Sequence, residues 1–233
     1  MNRANPSDSH DREAALYDQY VSERGCYGNE ALFGLLYELV KPGETVLDMG
    51  IGTGLSSMLL HRAGLRISGF DSSRGMLDVC ACKGFATDLI QHDLQDVPYP
   101  YDADSFDHVL CVGVLHFFPD LTPVFREAAR IVRPGGIFAF TVEDQRPNQQ
   151  AEYVIELGND PHSGGGNATV HMFRHSEAHV ARLLATSGFA LLKRFEFFAD
   201  RHPTEGHKIY FNAHVARRVP RDSYAPGKPG QVT

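Results

Sequence analysis

Along this chain, short apolar runs alternate with stretches whose apolar residues recur every three or four positions. The first rhythm belongs to buried strands and the second to amphipathic helices. The pattern predicts a helix over Asp11 to Val21, with Leu16, Tyr17 and Tyr20 on one side. A second helix is expected over Ala31 to Val40, with Leu32, Leu35, Leu36 and Leu39 on its apolar face. Asn29 is placed to cap it and Pro42-Gly43 to end it. Strands are expected at Glu44 to Met49, Leu65 to Phe70, Phe85 to Gln91, Phe106 to Val112 and Ile137 to Val142. Helical patterns separate them at Leu55 to Ala63, from Ser72 or Ser73 to about Cys82, and at Thr122 to Val132.

Strand and helix at this spacing predict βαβ units, hence a mainly parallel, doubly wound α/β sheet with helices on both faces. Gln145 to Val170 breaks the rhythm with Pro161, Asn159, Asn167 and Gly164-Gly165-Gly166, and is read as a variable loop or lid. A helix capped by Ser176 then leads to two strands, Phe189 to Phe198 and Ile209 to Ala216. With no helix between them, that pair is expected to be antiparallel. The domain plan is a helical cap over residues 1–40, a main domain over 41–218 with the loop at 145–170, and a Pro/Gly-rich disordered tail over 219–233.

Composition narrows the partners. The net charge is −7 with 12 histidines counted neutral, which argues against a nucleic-acid binder. No apolar stretch is long enough to span a bilayer, and Met1 to His10 is polar, unlike a signal peptide. The four cysteines form no C-x-x-C pair and read as reduced thiols of a cytoplasmic protein. A monomer or homodimer acting on a small molecule is the expectation.

The candidate chemistry starts at Asp48-Met49-Gly50-Ile51-Gly52-Thr53-Gly54. A strand ending in closely spaced glycines, followed by a helix, holds nucleotide-like ligands at the C-terminal edge of a parallel sheet. The spacing G-x-G-x-G differs from the dinucleotide fingerprint G-x-G-x-x-G. Asp48 suits a ligand carrying an ammonium group. Asp71, at the end of the second strand, is placed to accept from ribose hydroxyls. Asp93 and Leu94, after the third, suit the edge of an adenine.

These residues, with Phe106-Asp107-His108-Val109 and Arg133-Pro134-Gly135-Gly136, resemble the ordered motif set of class I S-adenosylmethionine-dependent methyltransferases. The likeness covers roughly residues 28 to 216. It implies a Rossmann-like sheet of seven strands, mainly parallel with an antiparallel last strand, and S-adenosylmethionine as cofactor, with S-adenosylhomocysteine as product. It implies that Gly50 and Gly52 turn beneath the methionine part and that Asp71 holds the ribose, with Gly54 and Ser72 also among the cofactor-binding residues. Met76 would pack on adenine, and the backbone at Cys111, Val112 and Gly113 would meet the methionine end. Tyr17, Tyr27-Gly28-x-Glu30 and His175-Ser176-Glu177-Ala178 are similar to a group that includes the Williams–Beuren-region methyltransferase; there, such N-terminal tyrosines form a lid on the cofactor.

His116 follows the fourth strand and is the candidate general base. Arg146, Arg174 and His171 flank the variable loop and are the candidate contacts to an anionic acceptor. His171, His175 and His179 are spaced by four, but Ser176 as a helix cap separates them, so no metal site is expected. The Asn/Asp-Pro-Pro-Tyr tetrad and the Pro-Cys nucleophile of base-modifying enzymes are absent. The expectation is therefore direct methyl transfer to a small-molecule acceptor. Its alternatives are a non-catalytic sensor of the cofactor and, less favoured by the glycine spacing, a nicotinamide-dependent reductase.

Overall fold

The computed structural model describes residues 6–156, 169–201 and 206–220. Two helices open it, α1 (Pro6–Glu23) and α2 (Gly28–Leu36), followed by a short 3-10 turn. Then come β1 (Thr45–Met49), α3 (Leu55–Arg62), β2 (Arg66–Asp71), α4 (Arg74–Cys82), β3 (Ala86–Gln91) and β4 (Phe106–Cys111). The rest is α5 (Thr122–Ile131), β5 (Val132–Glu143), β6 (Glu152–Glu156), β7 (Thr169–Phe173), α6 (Glu177–Thr186), β8 (Phe189–Arg201) and β9 (Lys208–Arg218).

Seven strands form one sheet in the order β3-β2-β1-β4-β5-β9-β8. The first five pair in parallel, and β9 runs antiparallel between β5 and β8. The chain winds outward from β1 to β3, then returns to β4 on the other side of β1. That reversal opens a crevice beyond the C-terminal ends of β1 and β4, where such sheets bind ligands. Both faces are covered, which is why the strands read as continuous apolar runs. Leu47, Phe70, Phe138 and Phe140 pack with α5 and α6, while Val46, Ile67, Ala213 and Val215 pack with residues of α2, α3 and α4.

Several of the sequence motifs lie at the opposite edge of the sheet and hold it together. The Asp107 carboxylate accepts the Thr45 N–H and hydroxyl at 2.8 Å each, and Arg133 Nη1 donates to it at 2.6 Å. Gly136 passes so near β4 that a Cβ there would stand 2.2 Å from the Asp107 carbonyl oxygen.

Three expectations are corrected. Asn29 is not the cap of α2: Tyr27 occupies that position, and Asn29 Oδ1 instead accepts the Ser56 hydroxyl at 2.5 Å. β5 begins at Val132 rather than Ile137, because pairing with β4 resumes at once after α5. The expected loop from Gln145 contains β6, which pairs antiparallel with β7 from Glu152↔Phe173 to Glu156↔Thr169. The glycine-rich 157–168 portion of that loop, with His162, lies outside the described residues, as does 221–233 of the expected disordered tail.

Candidate active site

The glycine turn is built by backbone geometry. Gly50, Gly52 and Gly54 have φ of 75°, 55° and 85°, a left-handed region that other residues enter only with strain. The Gly50 and Ile51 N–H groups both donate to the Phe70 carbonyl, at 2.8 and 3.0 Å, tying the turn to the end of β2. A Cβ at Gly52 would meet no atom within 4 Å, so a side chain there would enter the space the turn leaves open.

That space is a cavity of about 810 Å³. Gly50, Gly52, Asp71, Ser72 and Met76 line one side, with Asp93, Leu94 and Val112. Asp71 accepts the Gly52 N–H on Oδ2 and the Ser73 N–H on Oδ1, both at 2.9 Å. Two backbone donors thus fix the carboxylate at the mouth of β2. Asp93 Oδ1 is fixed similarly by the Gln95 N–H at 2.9 Å. Gly113, with φ of 70°, also lines the cavity, and a Cβ there would again meet no atom within 4 Å. An elongated ligand with a polar sugar and an adenine ring fits this arrangement: two anchored carboxylates, bare backbone at Gly52 and Gly113, and the Met76 thioether.

Helix α1 lies across this half. Asp18 accepts the Thr53 hydroxyl at 2.6 Å and pairs with Lys83 Nζ at 2.5 Å, while Lys83 also donates to the Thr53 carbonyl. Asp11 accepts the Ser73 hydroxyl at 2.5 Å and the Gly75 N–H at 2.7 Å. Gly75 permits that contact, since a Cβ there would stand 2.9 Å from the Asp11 carbonyl oxygen. The helix thereby brings Tyr17 and Tyr20 to the cavity wall. Only the partners of the two aspartates on distant elements reveal what they do.

Four expected cofactor contacts do not line the cavity. Asp48 is buried beneath the turn, with its carboxylate accepting the Ser57 hydroxyl from α3 at 2.6 Å. Gly54 faces Phe85 and Cys80, which its Cβ would strike at 2.5 and 2.9 Å. Cys111 is buried in the core, where desolvation drives its thiol pKa well above the ordinary value. Tyr27 is 69% exposed to solvent.

Asp48 is a charge in a poor place. Its Oδ1 has no hydrogen-bond partner. Burial pushes its pKa from 3.8 to about 6; the Ser57 hydrogen bond opposes that rise, and the charge of Asp71 adds a smaller one. A carboxylate whose pKa is raised by folding loses stability as pH climbs from the unfolded to the folded value; 3.8 to about 6 corresponds to about 3 kcal/mol. Asp48→Asn keeps the acceptor for Ser57 and removes the charge. The ligand-free variant should therefore be more stable than the wild type by about 1–3 kcal/mol at about pH 8, with the gain gone by about pH 4. Urea unfolding at the two pH values checks this, and a gain independent of pH would refute it.

The other half of the cavity is a mostly apolar chamber. Ile155 of β6, Met172 of β7, Phe197 of β8 and Phe211 of β9 line it, with Phe117 after β4. His116 lines it too, buried with its ring centroid 4.2 Å from that of Phe117 and 5.1 Å from that of Phe211. Of the three expected acceptor contacts only His171 reaches the cavity, and its Nδ1 lies 2.5 Å from Glu152. Arg146 pairs with Glu196 at 2.7 Å and stacks 3.9 Å over the Tyr210 ring. Arg174 is buried against Glu143 at 2.8 Å. His175 and His179 stack at 5.8 Å around the start of α6, while His171 sits on β7, so the three histidines do not share one helix.

Comparison with known proteins agrees with this geometry. The family model described as "Methyltransferase domain" matches residues 47–140, the stretch from β1 through most of β5 that carries the glycine turn, Asp71 and Asp93. These residues form a methyltransferase domain of the class I, S-adenosylmethionine-dependent family. A malonyl-[acyl-carrier protein] O-methyltransferase of Serratia marcescens is 32% identical over 141 residues, 60% of this chain and 53% of the relative. A ubiquinone biosynthesis O-methyltransferase of Hahella chejuensis is 29% identical over 50% of this chain and 52% of its own length. The chain thus spans about half the length of the curated relatives it matches. A putative methyltransferase solved in complex with the Haloferax volcanii Trm112 activator shares the fold at TM-score 0.70 and 20% identity, covering 93% of this chain and 99% of that one. The matched stretch therefore contributes the turn, its carboxylates and the His116-Phe117 wall, and β6 to β9 add the rest of the chamber.

Proposed function

We propose that the protein transfers a methyl group from S-adenosylmethionine to an apolar small-molecule acceptor. The observation that carries this is one cavity with two unlike halves: anchored carboxylates and bare glycine backbone on one side, aliphatic and aromatic side chains on the other. In this reading Asp71 and Ser72 hold the ribose, Met76 packs on adenine, and Asp93 with the Leu94 backbone reads the adenine edge. Gly50, Gly52 and the Val112-Gly113 backbone receive the methionine end, and Tyr17 closes over it. When bound, S-adenosylmethionine supplies a methyl on a sulfonium sulfur, activated without help from the protein. What the chain must provide is proximity, orientation and exclusion of water, which can supply most of the rate for a nucleophilic acceptor. The relative named for ubiquinone biosynthesis supports a small acceptor, and the O-methyltransferase names of both relatives support oxygen as its atom.

Calorimetry with S-adenosylhomocysteine and with NADH, followed by incubation of methyl-labelled S-adenosylmethionine with an organic extract of cells, tests the reading. Binding of the first and not the second, with label passing into solvent-extractable product, is expected. Binding without transfer would make the protein a sensor, and preference for NADH would discard the cofactor assignment.

A further inference from the structure

Strand β8 ends the seven-stranded sheet, with β9 on one side and no strand on the other among the described residues. An edge strand presents a row of N–H and C=O groups without a ladder partner, and proteins ordinarily shield such edges with charge, proline or a covering element. β8 has no proline. Between its charged residues it carries Leu191, Leu192, Phe195 and Phe198 in the open, with Phe195 49% and Leu191 48% exposed. Bulges in its pairing with β9, at Leu191/Lys193 and Phe198/Asp200, leave a regular stretch between them from Lys193 to Phe198.

The side chains around Phe195 are anchored. On one face, Lys193 Nζ donates to the Leu35 carbonyl at 2.8 Å and pairs with Glu38 at 2.6 Å. Phe197 lies so close to the start of α2 that a Cβ on Gly28 would stand 2.7 Å from its ring. Phe195 shares that face by strand alternation. On the other face, Arg194 pairs with Glu177 of α6, and Glu196 pairs with Arg146 at 2.7 Å.

We propose that β8 pairs antiparallel with β8 of a second copy of this chain, about a twofold axis at Phe195, joining the two sheets into one. The charges of the strand choose both the partner and the register. Opposed residues of an antiparallel ladder point to the same face, so a twofold axis must fall on a residue. Within Lys193 to Phe198, the two central registers put Phe195 or Glu196 there. Glu196 on the axis would face the partner's Glu196, and Arg194 on the axis would face the partner's Arg194; like charges directly opposed are destabilising. With Phe195 on the axis, the two rings meet, and Arg194 and Glu196 stand opposite the partner's Glu196 and the partner's Arg194. A guanidinium fork and a two-oxygen carboxylate can each serve a second partner, so these pairs coexist with those inside the chain. Leu192 comes beside the partner's Phe198, and each apolar contact is made twice because the interface is self-complementary. Phe197, a wall of the apolar chamber, falls opposite the partner's Lys193, so association braces that half of the cavity. The pairing depends on the edge alone and not on the reaction the cavity supports.

Sedimentation velocity of the full chain at micromolar concentration should show a dimer. Phe195→Lys sets two ammonium groups on the axis in place of two rings. It should weaken self-association by about 10²-fold and sediment as a single chain, with far-UV circular dichroism unchanged. Cysteine placement reads the register, in a Cys82→Ser background that removes the exposed native thiol. Phe195→Cys should form a disulfide-linked dimer under mild oxidant, because its counterpart stands directly opposite at a Cα separation of about 4.5–5.5 Å. Glu196→Cys should not, since its counterpart lies on the diagonal at about 7–8 Å, beyond the reach of a disulfide. A monomeric wild type overturns the proposal; slow hydrogen exchange along β8 in that monomer would give the edge to another segment of the same chain. Assemblies larger than a dimer, or cross-linking of Glu196→Cys in preference to Phe195→Cys, overturn it as well.

Discussion

Asp71→Ala is expected to lower affinity for S-adenosylhomocysteine by about 10²- to 10⁴-fold in calorimetry. The estimate comes from two hydrogen bonds between ligand hydroxyls and a charged acceptor, each worth about 1.5–3 kcal/mol when the site is otherwise dry. Asp71 is prepared for that task before any ligand arrives. Its oxygens are fixed by the Gly52 and Ser73 amides, so little ordering remains to be done on binding. The same bonds create a second effect. Without the carboxylate the Gly52 amide loses its partner, and the turn that should pass beneath the methionine loosens. Asp71→Asn separates the two contributions: its amide oxygen can keep one backbone bond, while its NH₂ opposes the other donor. An affinity intermediate between wild type and Asp71→Ala is expected. Affinity within threefold of wild type for Asp71→Ala would remove Asp71 from the ribose site and reopen the cofactor assignment.

Why Asp71 lines the cavity and Asp48 lies beneath the turn follows from strand geometry. Both stand at the C-terminal ends of parallel strands, and the apolar runs before them mark those ends clearly. The spacing of strand, glycine turn and helix fixes where the crevice lies, so Gly50, Gly52, Asp71, Met76, Asp93 and Leu94 all fall on it. Within a strand, however, successive side chains point to opposite faces. Which of them meets the ligand depends on the helix packed beneath, and α3 places Ser57 under Asp48. The cations failed for another reason. Arg146 and Arg174 look available beside a variable segment, yet their partners Glu196 and Glu143 come from β8 and β5, and pairing at that distance has no local signature. The β6–β7 hairpin did leave a signal. Glu152-Tyr153-Val154-Ile155-Glu156 and Thr169-Val170-His171-Met172-Phe173 are rich in β-branched and aromatic residues, but polar and glycine-rich flanks outweighed them. Missing the hairpin meant missing the chamber, and with it Tyr153.

Arg174→Met should be the more damaging change to stability, at about 3–5 kcal/mol in urea unfolding near neutral pH. The substitution keeps an unbranched apolar side chain and removes the charge, together with the guanidinium that stacks on Tyr153. Glu143 is then a buried carboxylate with one neutral hydroxyl for company, where desolvation already holds its pKa above the usual range. Losing the guanidinium, which lowers that pKa, raises it further. The folded variant will therefore bind a proton more tightly than the unfolded chain, and its stability will fall as pH rises from the ordinary carboxylate range into the raised one. The deficit should accordingly be smaller at about pH 5 than at about pH 8. Pairing the change with Glu143→Gln removes both charges and keeps an acceptor for Tyr153, so most of the lost stability should return. A single variant within about 0.5 kcal/mol of wild type, or a double variant no better than the single, would show that the pair is not what holds the hairpin to the end of β5. S-adenosylhomocysteine affinity should survive Arg174→Met, because Asp71 and the glycine turn are anchored by β2 and α1 rather than by the hairpin. Damage to stability and damage to cofactor binding are thus expected to separate cleanly between Arg174 and Asp71, as they must if the cavity has two independently built halves.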